Sequence, residues 1–248
     1  MSDDELEQLA EEFWSETGLG DVFPRKIEQA LALKLPVTII KLPIVTIRSV
    51  SRWLRRHTRY PELPSYRREL MGCLYADSGH GFIFVCGADT PEEQRLTLAH
   101  DAAHFLLDYW RPRLQVIKAL GTSIIPVLDG YRCAQPEERL SAILAGIRVG
   151  PHLHLLPRYG DDEAANTWLE CVESRADDLG RELVAPRWRV QQMLRELPRD
   201  CRPEVACQAL GQVFGIPPYV FRSDVAARHR ERPRSFVEDV SRVLARPL

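Results

Sequence analysis

The sequence predicts a mixed α+β fold, and three observations carry that expectation. Val37-Thr38-Ile39-Ile40, opened by Pro36 and closed by Pro43, is a β-branched run of strand length. Met71 to Tyr75 and Phe82 to Cys86 flank the turn segment Asp77-Ser-Gly-His-Gly81, the pattern of a hairpin. Two long helical patterns then follow, Pro91 to about Tyr109 and Thr167 to Ala185. At 248 residues the chain has the length of one elaborated domain or two small ones with a substantial core.

In chain order, the segment to about Ala32 is acidic and helical in pattern, interrupted by Gly18-Leu19-Gly20 and Pro24. After the first strand, Ser49 to Arg59 gathers Arg52, Arg55, Arg56, His57 and Arg59 around Trp53 and Leu54, a basic helical patch whose ordinary reading is a solvated face. The hairpin leads into the best-signalled helix. Thr90 is its N-cap, Pro91 takes the first helical position and Glu93 completes a capping box. It is expected to stop before Arg111-Pro112, because a proline disfavours the α conformation in the residue before it. Short helical patterns near Leu114 to Leu120 and Pro136 to Ala145 precede Ile147 to Leu156. In the second long helix Leu169, Val172, Ala176, Leu179 and Leu183 recur at helical spacing, with Pro186 just past the end. The tail from Trp188 is helical and rich in arginine.

Charge narrows the class. With 33 Lys and Arg against 35 Asp and Glu, a net charge of −2 excludes a protein whose main business is coating nucleic acid or an anionic membrane. No run approaches the roughly 18–20 apolar residues that span a bilayer, and the opening MSDDELEQLAEEFW is acidic where a signal peptide is basic, so no membrane partner and a cytoplasmic location are expected. Six cysteines without a CxxC spacing read as reduced thiols.

The chemistry concentrates in the first long helix. Leu96-Thr-Leu-Ala-His100-Asp101-Ala-Ala-His104-Phe-Leu-Leu107 is apolar almost all round, yet holds three ionisable residues. An unpartnered buried polar group costs about 1–3 kcal/mol, so these need a reason. Histidines at i and i+4 share one helical face, the spacing at which two imidazoles grip one Zn²⁺; the plain alternative is a pair of hydrogen-bonded core histidines. The pattern is H-E-x-x-H with Asp for Glu. Trp110 stands where a third histidine of the longer HExxHxxGxxH arrangement would be. Glu173 and Asp177, one turn apart on the second helix, offer a carboxylate ligand and an acceptor for the outer N–H of a ligating imidazole, unless both are surface acids.

These segments resemble the ImmA/IrrE family of metallopeptidases. Arg95-Leu-Thr-Leu-Ala-His100-Asp-Ala-Ala-His104 is similar to that family's R-x-F-T-L-A-H-E-x-x-H helix. Glu173-Ser-Arg-Ala176-Asp177-Asp-Leu179-Gly-Arg-Glu-Leu183-Val-Ala-Pro186 is similar to its E-x-x-A-N/D-x-F/L-A-x-x-L-L-x-P segment, and Gly81-Phe-Ile-Phe-Val to the strand lining its active site. The resemblance implies a zincin-like metallopeptidase domain over residues 1–190, with an insertion at about 113–165, and a C-terminal helical, helix-turn-helix-like module over 191–248. It further implies one zinc held by His100, His104 and Glu173, with Asp177 supporting them. Asp101 would be the general base for peptide hydrolysis, and a helix-turn-helix repressor in a stress-response or mobile-element circuit would be the substrate.

Three features depart from the family pattern or add to it. Asp101 is one methylene shorter than Glu, so its carboxylate falls short by about 1.5 Å, whereas a base must come within about 2.6–3.2 Å of the proton it takes. The interval between His104 and Glu173 is long and contains His152 and His154, which share one face of a strand. One of them could polarise the scissile carbonyl or replace a metal ligand; the ordinary reading is surface or hydrogen-bonded histidines on an added hairpin. In the tail, Ala209 to Arg222 resembles a helix-turn-helix with Gly215 in the turn, where Tyr219 and Arg222 would meet DNA; Pro217-Pro218 and the family's similar tail favour packing or partner docking instead. Two functions follow: a zinc-dependent regulatory endopeptidase, or a metal-binding regulatory protein with little hydrolysis, acting through partner or DNA binding.

Overall fold

Alternation along two central strands divides the molecule into layers. The structure is a computed structural model describing residues 2–19, 22–58, 63, 69–139, 150–158, 167–198 and 200–230. Strands β3 (Glu69–Asp77) and β4 (His80–Cys86) form the predicted hairpin, closed by Ser78 and Gly79 at φ 50° and 79°. Strand β1 (Val37–Leu42) pairs parallel with β4, while the short β2 (Val45–Thr46) and β5 (His152–Pro157) both pair antiparallel with β3. The fold is therefore mixed α+β, with a small mixed sheet.

Successive residues of a strand face opposite sides. Leu74, Ala76, Ile83 and Val85 enter the larger core, against helices α4 (Pro91–His104) and α7 (Thr167–Val184). Cys73, Tyr75, Phe84 and Cys86 enter a smaller core under α3 (Ile47–His57). The exposed side of α3 carries Arg52, Arg55 and Arg56, as a solvated basic face does. Helices α1 (Asp3–Ser15) and α2 (Ile27–Lys34) complete the larger core, and the Trp14 indole donates to the Leu183 carbonyl at 2.8 Å.

Helix α4 begins as predicted, with the reciprocal Thr90–Glu93 capping box, and its turns from Thr97 to His104 are buried. Its end corrects the expectation. The helix does not stop before Arg111-Pro112: a π-helical segment, Phe105–Trp110, carries it without a break into α5 (Arg111–Leu120). A proline ring clashes with the carbonyl four residues back, here Asp108, and the wider π turn lies over that position. The joined helix then packs on the hairpin turn, where the Gly79 N–H donates to the Tyr109 hydroxyl at 2.7 Å. Arg113 pairs with Asp129 at 2.7 Å.

A second correction concerns the added hairpin expected to carry His152 and His154. The part described forms β5, which joins the main sheet along the length of β3 instead of forming a separate hairpin. After a 3-10 turn at Thr122–Ile124 comes the short α6 (Ile125–Leu128), and the pattern at Pro136 to Ala145 extends beyond the described residues.

In the tail, α8 (Arg187–Glu196), α9 (Pro203–Phe214) and α10 (Arg222–Arg230) follow α7. Gly215 ends α9 in the left-handed conformation at φ 62°, and Pro217-Pro218 leads into a 3-10 turn, Pro218–Phe221. Leu210, Phe214, Phe221 and Val225 share the core of Leu98 and Leu179. Arg95 of α4 donates to the Gly215 carbonyl, and Arg181 of α7 pairs with Asp224 at 2.6 Å. Among the described residues, no helix is long and apolar enough to cross a membrane.

Candidate metal centre

Helices α4 and α7 cross closely because Gly180 lies at the contact. A Cβ there would come within 3.0 Å of the His100 backbone. This approach sets Glu173 and Asp177, on successive turns of α7, against the buried His100–His104 face of α4. Asp177 accepts from His100 Nδ1 at 2.9 Å, as the spacing suggested. Glu173 Oε2 lies 3.6 Å from His100 Nε2 and 3.5 Å from His104 Nε2.

His154 completes the group, reached from the sheet. Its ring stacks on that of His104 at 3.7 Å between centroids, and its Nε2 lies 3.2 Å from Glu173 Oε1. Of the ordinary reading, surface or hydrogen-bonded histidines on an added hairpin, the hydrogen bond is present at His154, while the surface position is corrected: the side chain is largely buried, because β5 belongs to the sheet beside α4. His152, two residues earlier on the same strand face, lies near His104 and Asp108 instead.

The outer nitrogens follow one rule. His100 Nδ1 meets Asp177, His104 Nδ1 meets Asp108 at 2.7 Å, and His154 Nδ1 meets Asp101 at 3.1 Å. Each contact leaves Nε2 facing the shared point, and for His100 and His104 that atom is buried without a hydrogen-bond partner among the described residues. Such atoms are costly in a finished core and are explained by a ligand. The four ligating atoms lie within 4.8 Å of one another, and imidazole and carboxylate donors suit a divalent ion.

The electrostatics agree. Burial depresses His100, but the carboxylates of Asp177 and Glu173 outweigh it and raise its pKa to about 10. Burial likewise opposes protonation of His154, while Asp101 and Glu173 raise it to about 9. Burial favours neutral Glu173, yet the three imidazoles hold it well below the usual carboxylate range. Four carboxylates around three histidines thus favour positive charge at the centre.

Asp101 is fully buried. Its second oxygen faces Gly72 of β3, where a Cβ would lie 2.5 Å from it. Asp108 escaped the sequence reading, although its position four residues after His104 on one helical face was a usable signal. Tyr219 and Arg222 are not brought into the cluster. Tyr219 is half exposed, and burial, with the charges of Glu93 and Asp177, raises its hydroxyl pKa; Arg222 is exposed. The structure thus contains a His/Glu/Asp cluster that could bind a metal ion. No protein family and no curated protein matches the chain.

Proposed function

We propose that the chain is a zinc-dependent regulatory endopeptidase of the ImmA/IrrE type, with a zincin-like domain and a helix-turn-helix-like tail, acting on a helix-turn-helix repressor. The observation that carries this reading is the convergence of His100 and His104, one turn apart on a buried helix, with Glu173 of the crossing helix. Histidine nitrogens and one carboxylate are the donor set of catalytic zinc sites. His100, His104 and Glu173 would hold the ion, while Asp177 and Asp108 fix the ring orientations. Bound there, zinc supplies Lewis acidity toward a carbonyl and lowers the pKa of water. In this reading Asp101 takes the proton of the attacking water and returns it to the leaving amine.

A second reading, a metal-binding regulatory protein with little hydrolysis, is favoured by one observation: Asp101 is buried and already engaged with His154. The test is metal content beside cleavage. Purified protein is expected to hold about one zinc, to lose it on His104→Ala, and to cut a co-encoded repressor in a chelator-sensitive way. Retention of full metal by His104→Ala overturns the centre, and zinc-loaded protein that leaves the repressor intact favours the second reading.

A further inference from the structure

We infer that His154 is a fourth protein ligand of the centre, and that Asp101 is the residue that positions it. This rests on the metal-centre part of the proposed function and revises the role of Asp101 within it. Three observations carry it.

The first is the shared rule of the outer nitrogens. His154 treats Asp101 as His100 treats Asp177 and His104 treats Asp108, with Nδ1 bonded to a carboxylate and Nε2 directed at the centre. A carboxylate behind a histidine fixes its tautomer and ring orientation and makes the inner nitrogen a better donor. A histidine merely filling space would have no need of that arrangement.

The second is spacing. Ligand atoms about 2.0–2.1 Å from a tetrahedral zinc stand about 3.3–3.4 Å apart. Glu173 Oε2 stands 3.5 and 3.6 Å from the Nε2 atoms of His104 and His100, its Oε1 stands 3.2 Å from His154 Nε2, and one ligand atom from each of the four residues lies within 4.8 Å of the others.

The third is the space around Asp101. The side chain is enclosed between α4 and the sheet, with one oxygen on His154 and the other against the bare Cα of Gly72. A glutamate, longer by a methylene, would have to displace His154 or the strand. The short acid that is awkward for a base is the right length for holding His154. Pairing of His154 with Leu74 across the β3–β5 ladder fixes the ligand from the strand side. With four protein ligands the centre is of the closed kind, so peptide cleavage would require His154 to withdraw.

The experiment uses the full-length protein with Co²⁺ and Zn²⁺ as probes. Visible absorption of the Co²⁺ form and Zn²⁺ affinity by chelator competition are compared for wild type, His154→Ala, Asp101→Ala and Asp101→Asn, with thermal unfolding as the check on folding. Wild type is expected to show the intense band of a four-coordinate ion, and His154→Ala the weaker band of a site filled by water. Asp101→Ala should lower Zn²⁺ affinity by about 10–100-fold and shift the band, while Asp101→Asn, whose amide oxygen still accepts the His154 N–H, should retain the wild-type spectrum. If His154→Ala fails to fold, His154→Gln is judged by the same spectrum. Wild-type spectrum and affinity in the His154 variant overturn the inference while leaving a His100–His104–Glu173 centre standing. If wild type takes up neither ion, the proposed centre falls, and the inference with it.

Discussion

The two faces of the sheet solve burial in different ways. Under α3, Val45, Val50, Leu54, Cys73 and Phe84 form an apolar core, and the charges stay on the outer side of the helix. Against α4 and α7, the same sheet covers a core that encloses His100, Asp101 and His104. The first face needs only shape. The second also encloses polar atoms, and the Nε2 atoms of His100 and His104 have no hydrogen-bond partner among the described residues, a lack that a metal ion could answer. Polar residues deep in a core thus mark the face where function is to be sought, even though the basic patch on α3 is the more conspicuous feature of the sequence.

Truncation and insertion on the two faces should separate stability from metal binding most sharply. Leu54→Ala, in the apolar core, is expected to cost about 2–5 kcal/mol of stability and leave Zn²⁺ affinity unchanged. Gly72→Ala places a methyl group 2.4 Å from Thr97 Cγ2 and 2.5 Å from Asp101 Oδ2, so it should cost about 1–3 kcal/mol and weaken Zn²⁺ binding as well. Urea midpoints and chelator competition on both variants check this. Equal losses of affinity, or none in either, would erase the contrast between the faces.

Glu182 offers a smaller test on the functional side. Burial raises its pKa from 4.5 to about 7, against the lowering effect of the Arg187 N–H it accepts. The folded state therefore binds this proton more tightly than the unfolded chain. Stability from this group declines as pH rises from about 4.5 through about 7. Glu182→Gln should remove that decline and stabilise the protein by roughly 1–3 kcal/mol at pH 8, with little change at pH 4. Denaturation midpoints at the two pH values decide it; a variant less stable at pH 8 shows that the carboxylate is better satisfied than its burial implies. The least effect is expected from Arg52→Ala and Arg56→Ala, within about 0.5 kcal/mol by thermal unfolding, because both lie on the exposed side of α3. A larger loss would mean that this face has a structural load.

Local signals were the readable ones. The capping box at Thr90 and Glu93, the proline at position 91 and the hairpin around Ser78-Gly79 involve contacts within a few residues, so the pattern is visible in the string. That Asp177 accepts the outer N–H of one of the helix histidines was also legible, because one-turn spacing on each helix limits which groups can meet; that the histidine is His100 comes from the structure. His154 was a candidate from its residue type, but its place was not legible, since that follows from β5 pairing with β3 across some eighty residues, and no periodicity near His154 announces that pairing. Gly72 gave no signal either: its need for a bare Cα arises from Thr97 and Asp101 on another element. The stop expected before Pro112 failed for a different reason: a proline rule for α-helices does not hold where the backbone adopts a π-helix.

That π segment has a consequence for alignment. An α-helix turns by about 100° per residue, so a stretch that accommodates one extra residue rotates everything after it by that angle while leaving the axis nearly continuous. Phe105–Trp110 therefore acts as a phase shift between two rigid rods. Before it, the helix presents histidines to the sheet; after it, Arg113 turns toward Asp129 beside the hairpin turn. A homologous sequence with one residue fewer in this stretch could keep both motifs letter for letter and still aim α5 elsewhere, so the spacing from His104 to Arg113 is as much a part of the design as the residues at its ends.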